Sequence, residues 1–149
     1  MDKWDKTFLS IASLISEHST CSRKKVGCVI TMDNRIICAG YNGVPSGIEH
    51  CEDRFIDVVK DGDFYQEHGK FSSLNEIHAE QNGIAFAAKE GLRLIGGTLY
   101  TTVSPCKDCA KLIVATGIIR VVYSEEYDRD KEGINFLKTA KIECLHREV

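Results

Sequence analysis

The pattern that most constrains this chain is His78-Ala79-Glu80 followed, some way along, by Pro105-Cys106-Lys107-Asp108-Cys109. An imidazole and two thiolates from separate stretches can share a metal only if the fold brings the starts of two helices side by side. Three such ligands leave one of the four tetrahedral positions of zinc open, the layout of a catalytic site; structural sites are normally closed by four protein ligands. Cys106 and Cys109 stand one helical turn apart, so both sulfurs face the same way. His78 and the cysteine pair fall in the first turns of two predicted helices, where the positive end of the helix dipole favours thiolates, so both thiols are expected to ionise readily. Pro105 suits the entry to the second helix, because it lacks an N–H that would otherwise go unpaired. Glu80 is left over, a carboxylate two residues from the imidazole, placed to take up and return protons.

Apolar positions Phe8, Leu9, Ile11, Ala12, Leu14 and Ile15 recur at helical spacing and predict an amphipathic helix over 5–18. Segments 26–31 and 35–39 flank Met32-Asp33-Asn34 and read as a β-hairpin. From Gly40 a polar stretch runs to about residue 75 and reads as a long loop, of the kind that is functional or tied down. A helix over 77–90 stops at Gly91; a strand over 98–102 precedes a helix over 106–116 closed by Gly117. A buried strand over 118–123, a short helix over 131–139 broken early by Gly133, and a strand over 141–145 complete the chain. A hairpin followed by alternating helix and strand implies an α/β fold, a mixed sheet sandwiched by helices.

The 149 residues suit a single domain over 1–149 with a core of its own. A net charge of −3 argues against binding a polynucleotide through bulk charge and favours a small nucleotide if the ligand is nucleic-acid-like. The N-terminal Met1-Asp2-Lys3-Trp4-Asp5 is charged, not a signal peptide, and no apolar run reaches membrane-spanning length. Seven cysteines without signs of export suggest a reducing cytoplasm, where they divide into metal ligands and small core residues. Cys28, Cys38 and Cys144, in apolar alternating stretches, are assigned to the core.

His-x-Glu joined to Pro-Cys-x-x-Cys is the signature of zinc deaminases acting on nucleobases. Together with Lys25-Val26-Gly27, Gly40-Tyr41-Asn42-Gly43, Asn75-Glu76-Ile77, Ser104 and the run Tyr123 to Asp128, it resembles the cytidine/deoxycytidylate deaminase family, and within it the bacteriophage type, over about residues 5–145. The resemblance implies a three-layer α/β/α fold with a five-stranded mixed sheet and helices on both faces. It implies a zinc ion on His78, Cys106 and Cys109, with Glu80 as proton shuttle, and hydrolysis of dCMP to dUMP and ammonia in support of thymidylate synthesis. Asn42 is expected near the deoxyribose or an effector, the Ser104 carbonyl at the exocyclic amino group, Tyr127 in the nucleotide pocket, and Asn82 in the matching Ala-Glu-x-Asn run. The basic cluster with Arg23 and Lys24 is the candidate phosphate cradle, against the reading of an ordinary solvated surface run. Gln81 and Gly83 stand where the family more often has Leu and Ala.

Phage-type members carry a second, structural zinc, and Cys21, Cys51, His68 and Glu76 match its ligands. Cys21 and Cys51 lie in polar surroundings where a bare thiol has little packing value, which agrees with that assignment. A closed site there would clamp the 44–75 segment to the end of the first helix. His50 is a rival ligand to Cys51, while His18 and His146 are read as surface or capping residues. The family is typically hexameric, activated by dCTP with Mg2+ and inhibited by dTTP. Two further readings stand beside the leading one. The substrate is dCTP or a base within RNA or DNA, or the chain is a non-catalytic, zinc-stabilised nucleotide-binding subunit.

Overall fold

The structure, a computed structural model, describes residues 2–149. The first helix, α1 (Lys3–Ser16), is capped by Asp2, whose side chain accepts the Trp4 N–H at 2.9 Å. Strands β1 (Gly27–Met32) and β2 (Arg35–Tyr41) form the predicted hairpin. Its two central residues, Asp33 and Asn34, have φ of 49° and 58°, the left-handed pair that a two-residue hairpin turn of matching twist demands.

Beyond the hairpin come α2 (Cys51–Arg54), α3 (Gly62–Asn75), α4 (Ala79–Glu90), β3 (Thr98–Val103), α5 (Lys107–Thr116), β4 (Arg120–Glu125), α6 (Glu132–Thr139) and β5 (Glu143–His146). The five strands lie in the order β2-β1-β3-β4-β5, antiparallel through β2, β1 and β3 and parallel through β3, β4 and β5. Alternation along the strands sends successive side chains to opposite faces. Cys28, Ile30, Leu99 and Val121 meet Ala79, Ala87, Ala110, Ile113 and Leu137 from α4, α5 and α6 on one face. Val29, Tyr100 and Val122 meet Phe8, Leu9 and Ala12 of α1 on the other. This is the expected mixed five-stranded sheet between two helical layers. Because α4 leads back to the beginning of β3 and α5 departs from its end, both helices start beyond the same end of the sheet, where the candidate ligands lie.

Three local expectations are corrected. The 44–75 stretch is largely helical, not a loop: Asp61 caps α3 by accepting the Phe64 N–H at 3.1 Å. Its apolar side is too thin to show as periodicity, because Phe64, Phe71 and His68 face a small aromatic cluster around Phe55 and not the main core. Gly133 does not break α6 but lies within it, buried, where a Cβ would run into the backbone carbonyl of Pro105. The absent side chain lets α6 seat against the entry to α5. Cys144 is corrected only in degree: it is half-buried, in the edge strand β5, and packs against the core cluster that holds the buried Cys28 and Cys38.

Gly40 in β2 supports the site directly, since a Cβ there would collide with the Ala79 carbonyl and the Gly83 backbone of α4. The close approach is therefore required by Gly40; Gly83 has room for ordinary contact with the Cys28 sulfur. Gln81 has a local role as well: its Oε1 accepts the His78 N–H at 2.7 Å and caps the start of α4. A leucine could not do this.

On the opposite face, Asp5 of α1 is wholly buried and forms two hydrogen bonds of 2.8 Å with the Arg120 guanidinium of β4. The Tyr100 hydroxyl donates to it from β3 at 3.1 Å. Burial pushes the Asp5 carboxyl up, but the bonds and charge of Arg120, with the Tyr100 bond, outweigh it and hold the group below its usual value. A depressed carboxyl stabilises the fold above its unfolded pKa of about 3.9, and that contribution disappears as pH falls through the lower folded value. Asp5→Asn is expected to cost about 3 kcal/mol near neutral pH in urea denaturation. The gap from the unmodified protein should hold down to about pH 5 and shrink below about pH 4. A gap that stays constant into acid would show that the pair does not carry the stability assigned to it.

Candidate active site

α4 and α5 begin beside one another, and the residue at each N-cap is a candidate ligand: His78 for α4 and Cys106 for α5. The backbone leading into His78 is pinned by a two-way bridge, Ile77 N–H to the Gly43 carbonyl at 2.9 Å and Gly43 N–H to the Ile77 carbonyl at 3.1 Å. His78 Nδ1 lies 3.3 Å from Cys109 Sγ and 3.5 Å from Cys106 Sγ. Two ligands on a tetrahedral zinc, with Zn–N and Zn–S bonds of ordinary length, stand roughly 3.5 Å apart. The three side chains therefore fit one ion, with Nδ1 as the ligating nitrogen.

The two thiols differ more than the helix dipoles alone suggest. Cys106 is pulled down to about 4 by the hydrogen bond from the Cys109 thiol, against its burial and with help from His78. The same shared proton drives the Cys109 thiol far up. Without a cation the two sulfurs share one proton, and a cation seated on both would displace it.

Glu80, in the first turn of α4, is 4 % exposed. Burial raises its carboxyl above the usual range despite its own backbone N–H and the nearby His78. A carboxyl raised by burial is better matched to taking up and releasing protons than an ordinary one.

A cavity of about 540 Å³ opens over this group, with His78, Glu80 and Cys106 in its wall. Arg23, Lys24, Asn42, Ser104 and Tyr127, all singled out from the sequence, line it too; Asn82 does not. Ser104 is nearly buried, and its Oγ accepts the Tyr127 N–H at 2.7 Å, tying the Tyr127 loop to the end of β3. Asn42 has largely spent its side chain on the fold, with Oδ1 accepting from Val26 N–H at 2.8 Å and Nδ2 donating to the Lys24 carbonyl at 2.7 Å. Lys24 pairs with Glu125 at 2.9 Å, and the Arg23 guanidinium lies 5.0 Å over the Tyr65 ring. The sequence reading missed Arg129, Ser72 and Ser73, which also line the cavity. Arg129 has no carboxylate partner among the described residues and stands two positions beyond Tyr127, a usable signal. The serines give no signal in the sequence, because the thin apolar side of α3 hides the helix that presents them.

Cys21, Cys51, His68 and Glu76 also converge, with one donor atom from each within 4.8 Å of the others. Cys21 Sγ is 3.4 Å and Glu76 Oε1 3.5 Å from His68 Nε2. His50 lies outside the cluster, exposed, with Nδ1 against Thr20 Oγ1 at 3.3 Å, so Cys51 is the ligand. Glu76 Oε1 is buried without a hydrogen-bond partner, costly for a carboxylate unless a cation neutralises it. Burial lowers His68, which favours the neutral imidazole a metal requires, and raises Cys21 to about 11. Four donors and an orphaned oxygen fit a closed zinc site that staples α2 and α3 to the segment after α1. His146 Nε2 donates to the Ser124 carbonyl at 2.8 Å, and His18 lies near Tyr41; neither joins a cluster.

Residues 2–125 match the family model of the cytidine and deoxycytidylate deaminase zinc-binding region. The deoxycytidylate deaminase of Enterobacteria phage T2 is 40% identical, over 94% of this chain and 90% of its own. That of Enterobacteria phage T4 is also 40% identical, over 94% of this chain and 88% of its own. A solved structure of dCMP deaminase from the cyanophage S-TIM5, in complex with dCMP and dUMP, superposes with a TM-score of 0.80 at 31% identity, covering 99% of each chain.

Metal analysis of the purified protein is expected to give about two zinc ions per chain, falling to about one in Cys51→Ser and in Cys106→Ser. Cys51→Ser should in addition open the 44–75 segment to limited proteolysis before the rest of the chain. One ion per chain in the unmodified protein would remove the second site.

Proposed function

The chain belongs to the cytidine and deoxycytidylate deaminase family, and we propose that it hydrolyses dCMP to dUMP and ammonia. The observation that carries this reading is the convergence of His78, Cys106 and Cys109 beside buried Glu80 at the wall of a nucleotide-sized cavity. Zinc bound by the three side chains supplies the Lewis acidity that makes water a nucleophile near neutral pH. Glu80 takes the proton of the attacking water, passes it to the ring nitrogen next to the amino-bearing carbon, then takes the proton of the hydroxyl now on that carbon and hands it to the departing amine. The carbon–nitrogen bond breaks, ammonia leaves, and a carbonyl stands where the amino group was. The Ser104 carbonyl, at the edge of the cavity, receives the exocyclic amino group, and the Tyr127 loop closes over the ring.

Preference for a monophosphate rests on Arg129 and Arg23, cations at the cavity not paired with carboxylates among the described residues, with Ser72 and Ser73 as further donors. Lys24 is already engaged by Glu125, so it contributes less than the sequence suggested. The protein works as a homo-oligomer, a hexamer by family resemblance, with dCTP and Mg2+ or dTTP as effectors on the same ground. Exposed Ile56, Val59 and Leu74 on and before α3 supply apolar surface for self-association. Cytoplasmic action is supported by free cysteines throughout and by thiolate ligands that need reducing conditions. No helix among the described residues is long and apolar enough to cross a membrane.

Purified protein should deaminate dCMP in preference to dCTP, deoxycytidine or a cytosine-containing oligonucleotide, followed by loss of ultraviolet absorbance. Glu80→Gln is expected to lower kcat by about a thousandfold with zinc content unchanged. Near-normal turnover in that variant would remove the proton shuttle from Glu80. Arg129→Ala should raise KM for dCMP by about tenfold and leave that for deoxycytidine unaltered, since only the monophosphate presents an anion to it.

A further inference from the structure

Thr101 lies in β3, the central strand, paired with Cys28 of β1 and Tyr123 of β4, and it is completely buried. It shares the sheet face of Leu99, two residues before it, and so points toward the layer of α4 and α5. A hydroxyl in such a place costs free energy unless it is bonded, and valine would fill the same space without that cost. The Thr101 Oγ1 stands 2.9 Å from the Val103 carbonyl and 3.3 Å from Glu80 Oε1. A carbonyl oxygen only accepts, so the hydroxyl donates to Val103 while a protonated Glu80 donates to it, and turns its single proton to Oε1 when Glu80 is ionised. The contact with Glu80 is thus a hydrogen bond in either state of the carboxyl, the Val103 bond only in the protonated one.

We infer that Thr101 is a positioning residue for Glu80, a role that rests on the deaminase reading and deepens it. Thr101 carries the one side-chain hydroxyl within hydrogen-bonding distance of Glu80 among the described residues. It fixes the carboxyl from behind, on the side of the sheet, and leaves the other oxygen to face the reacting groups. Glu80 must serve two proton positions in succession, and a flexible three-torsion side chain does so poorly unless its resting rotamer is held. While Glu80 is protonated, the hydroxyl is anchored in turn by the Val103 carbonyl, at the end of the strand that leads into Ser104 and Cys106. Glu80 and the residues at the start of α5 are thereby referenced to the same stretch of backbone.

Thr101→Val keeps the shape and removes the hydroxyl, while Thr101→Ser keeps the hydroxyl. On dCMP, Thr101→Val is expected to lower kcat about tenfold with KM within about twofold, and Thr101→Ser to recover most of the loss. Zinc content should be unchanged in both. A crystal structure of Thr101→Val should show the Glu80 carboxyl displaced or in more than one rotamer. Wild-type kcat in Thr101→Val, or an undisturbed Glu80 in its structure, overturns the positioning role. Failure of the unmodified protein to act on dCMP would instead defeat the substrate reading, and the position of Glu80 in the valine variant would then decide the role of Thr101 by itself.

Discussion

The meeting of two helix N-termini is the constraint on which the rest of this molecule depends. His78 and Cys106 stand at the N-caps of α4 and α5, and Cys109 follows one turn into α5. Three ligands from two elements converge only if both helices start beyond the same end of the sheet and at a set separation. Strand β3 provides that arrangement, since α4 leads back to its beginning and α5 departs from its end. Gly40 lets α4 sit against β2, and Gly133 lets α6 sit against the entry to α5. These close approaches have no effect of their own on chemistry, yet each sets the position of a ligand-bearing helix.

A second level of support comes from the 44–75 segment. Its donors Cys51 and His68 meet Cys21 and Glu76, and the buried Glu76 Oε1 has no hydrogen-bond partner. Glu76 belongs to that cluster and His78 to the catalytic one, with only Ile77 between them, and Ile77 is fastened to Gly43 by a two-way backbone bridge. The same cavity is walled on one side by Cys21, His68 and Glu76 and on another by His78, Glu80 and Cys106. A metal in the closed cluster would therefore do more than stiffen a surface segment. It would hold the wall that carries Ser72 and Ser73 and the backbone that presents His78.

Where the sequence was readable, a single local rule dominated. The hairpin was visible because Asp33 and Asn34 tolerate the left-handed turn, and α5 because Pro105 and Gly117 bracket it. α3 was not visible, for its apolar residues face a small aromatic cluster and leave most of the helix polar. Gly133 misled because glycine disfavours helices in general, while here a neighbouring carbonyl leaves no room for anything larger. Asn42 was placed at the ligand from its family motif, and much of its hydrogen-bonding capacity proves to be spent on Val26 and Lys24.

Taken alone, the chain's order of residues determined the donor types, their spacing along two helices and the spare carboxylate, because ligand chemistry and helical periodicity are local properties. It also implied a mixed sheet, through the order of hairpin, helices and strands. Tertiary structure alone decided which donors share a point in space, that His50 stays outside the second cluster, and that Arg129 and the α3 serines join the cavity wall. It decided too that the Thr101 hydroxyl stands behind Glu80, twenty-one positions away in sequence. Contacts of that kind depend on strand register and on how closely helices approach a sheet, and both are set by packing across the whole fold rather than by any neighbouring residue.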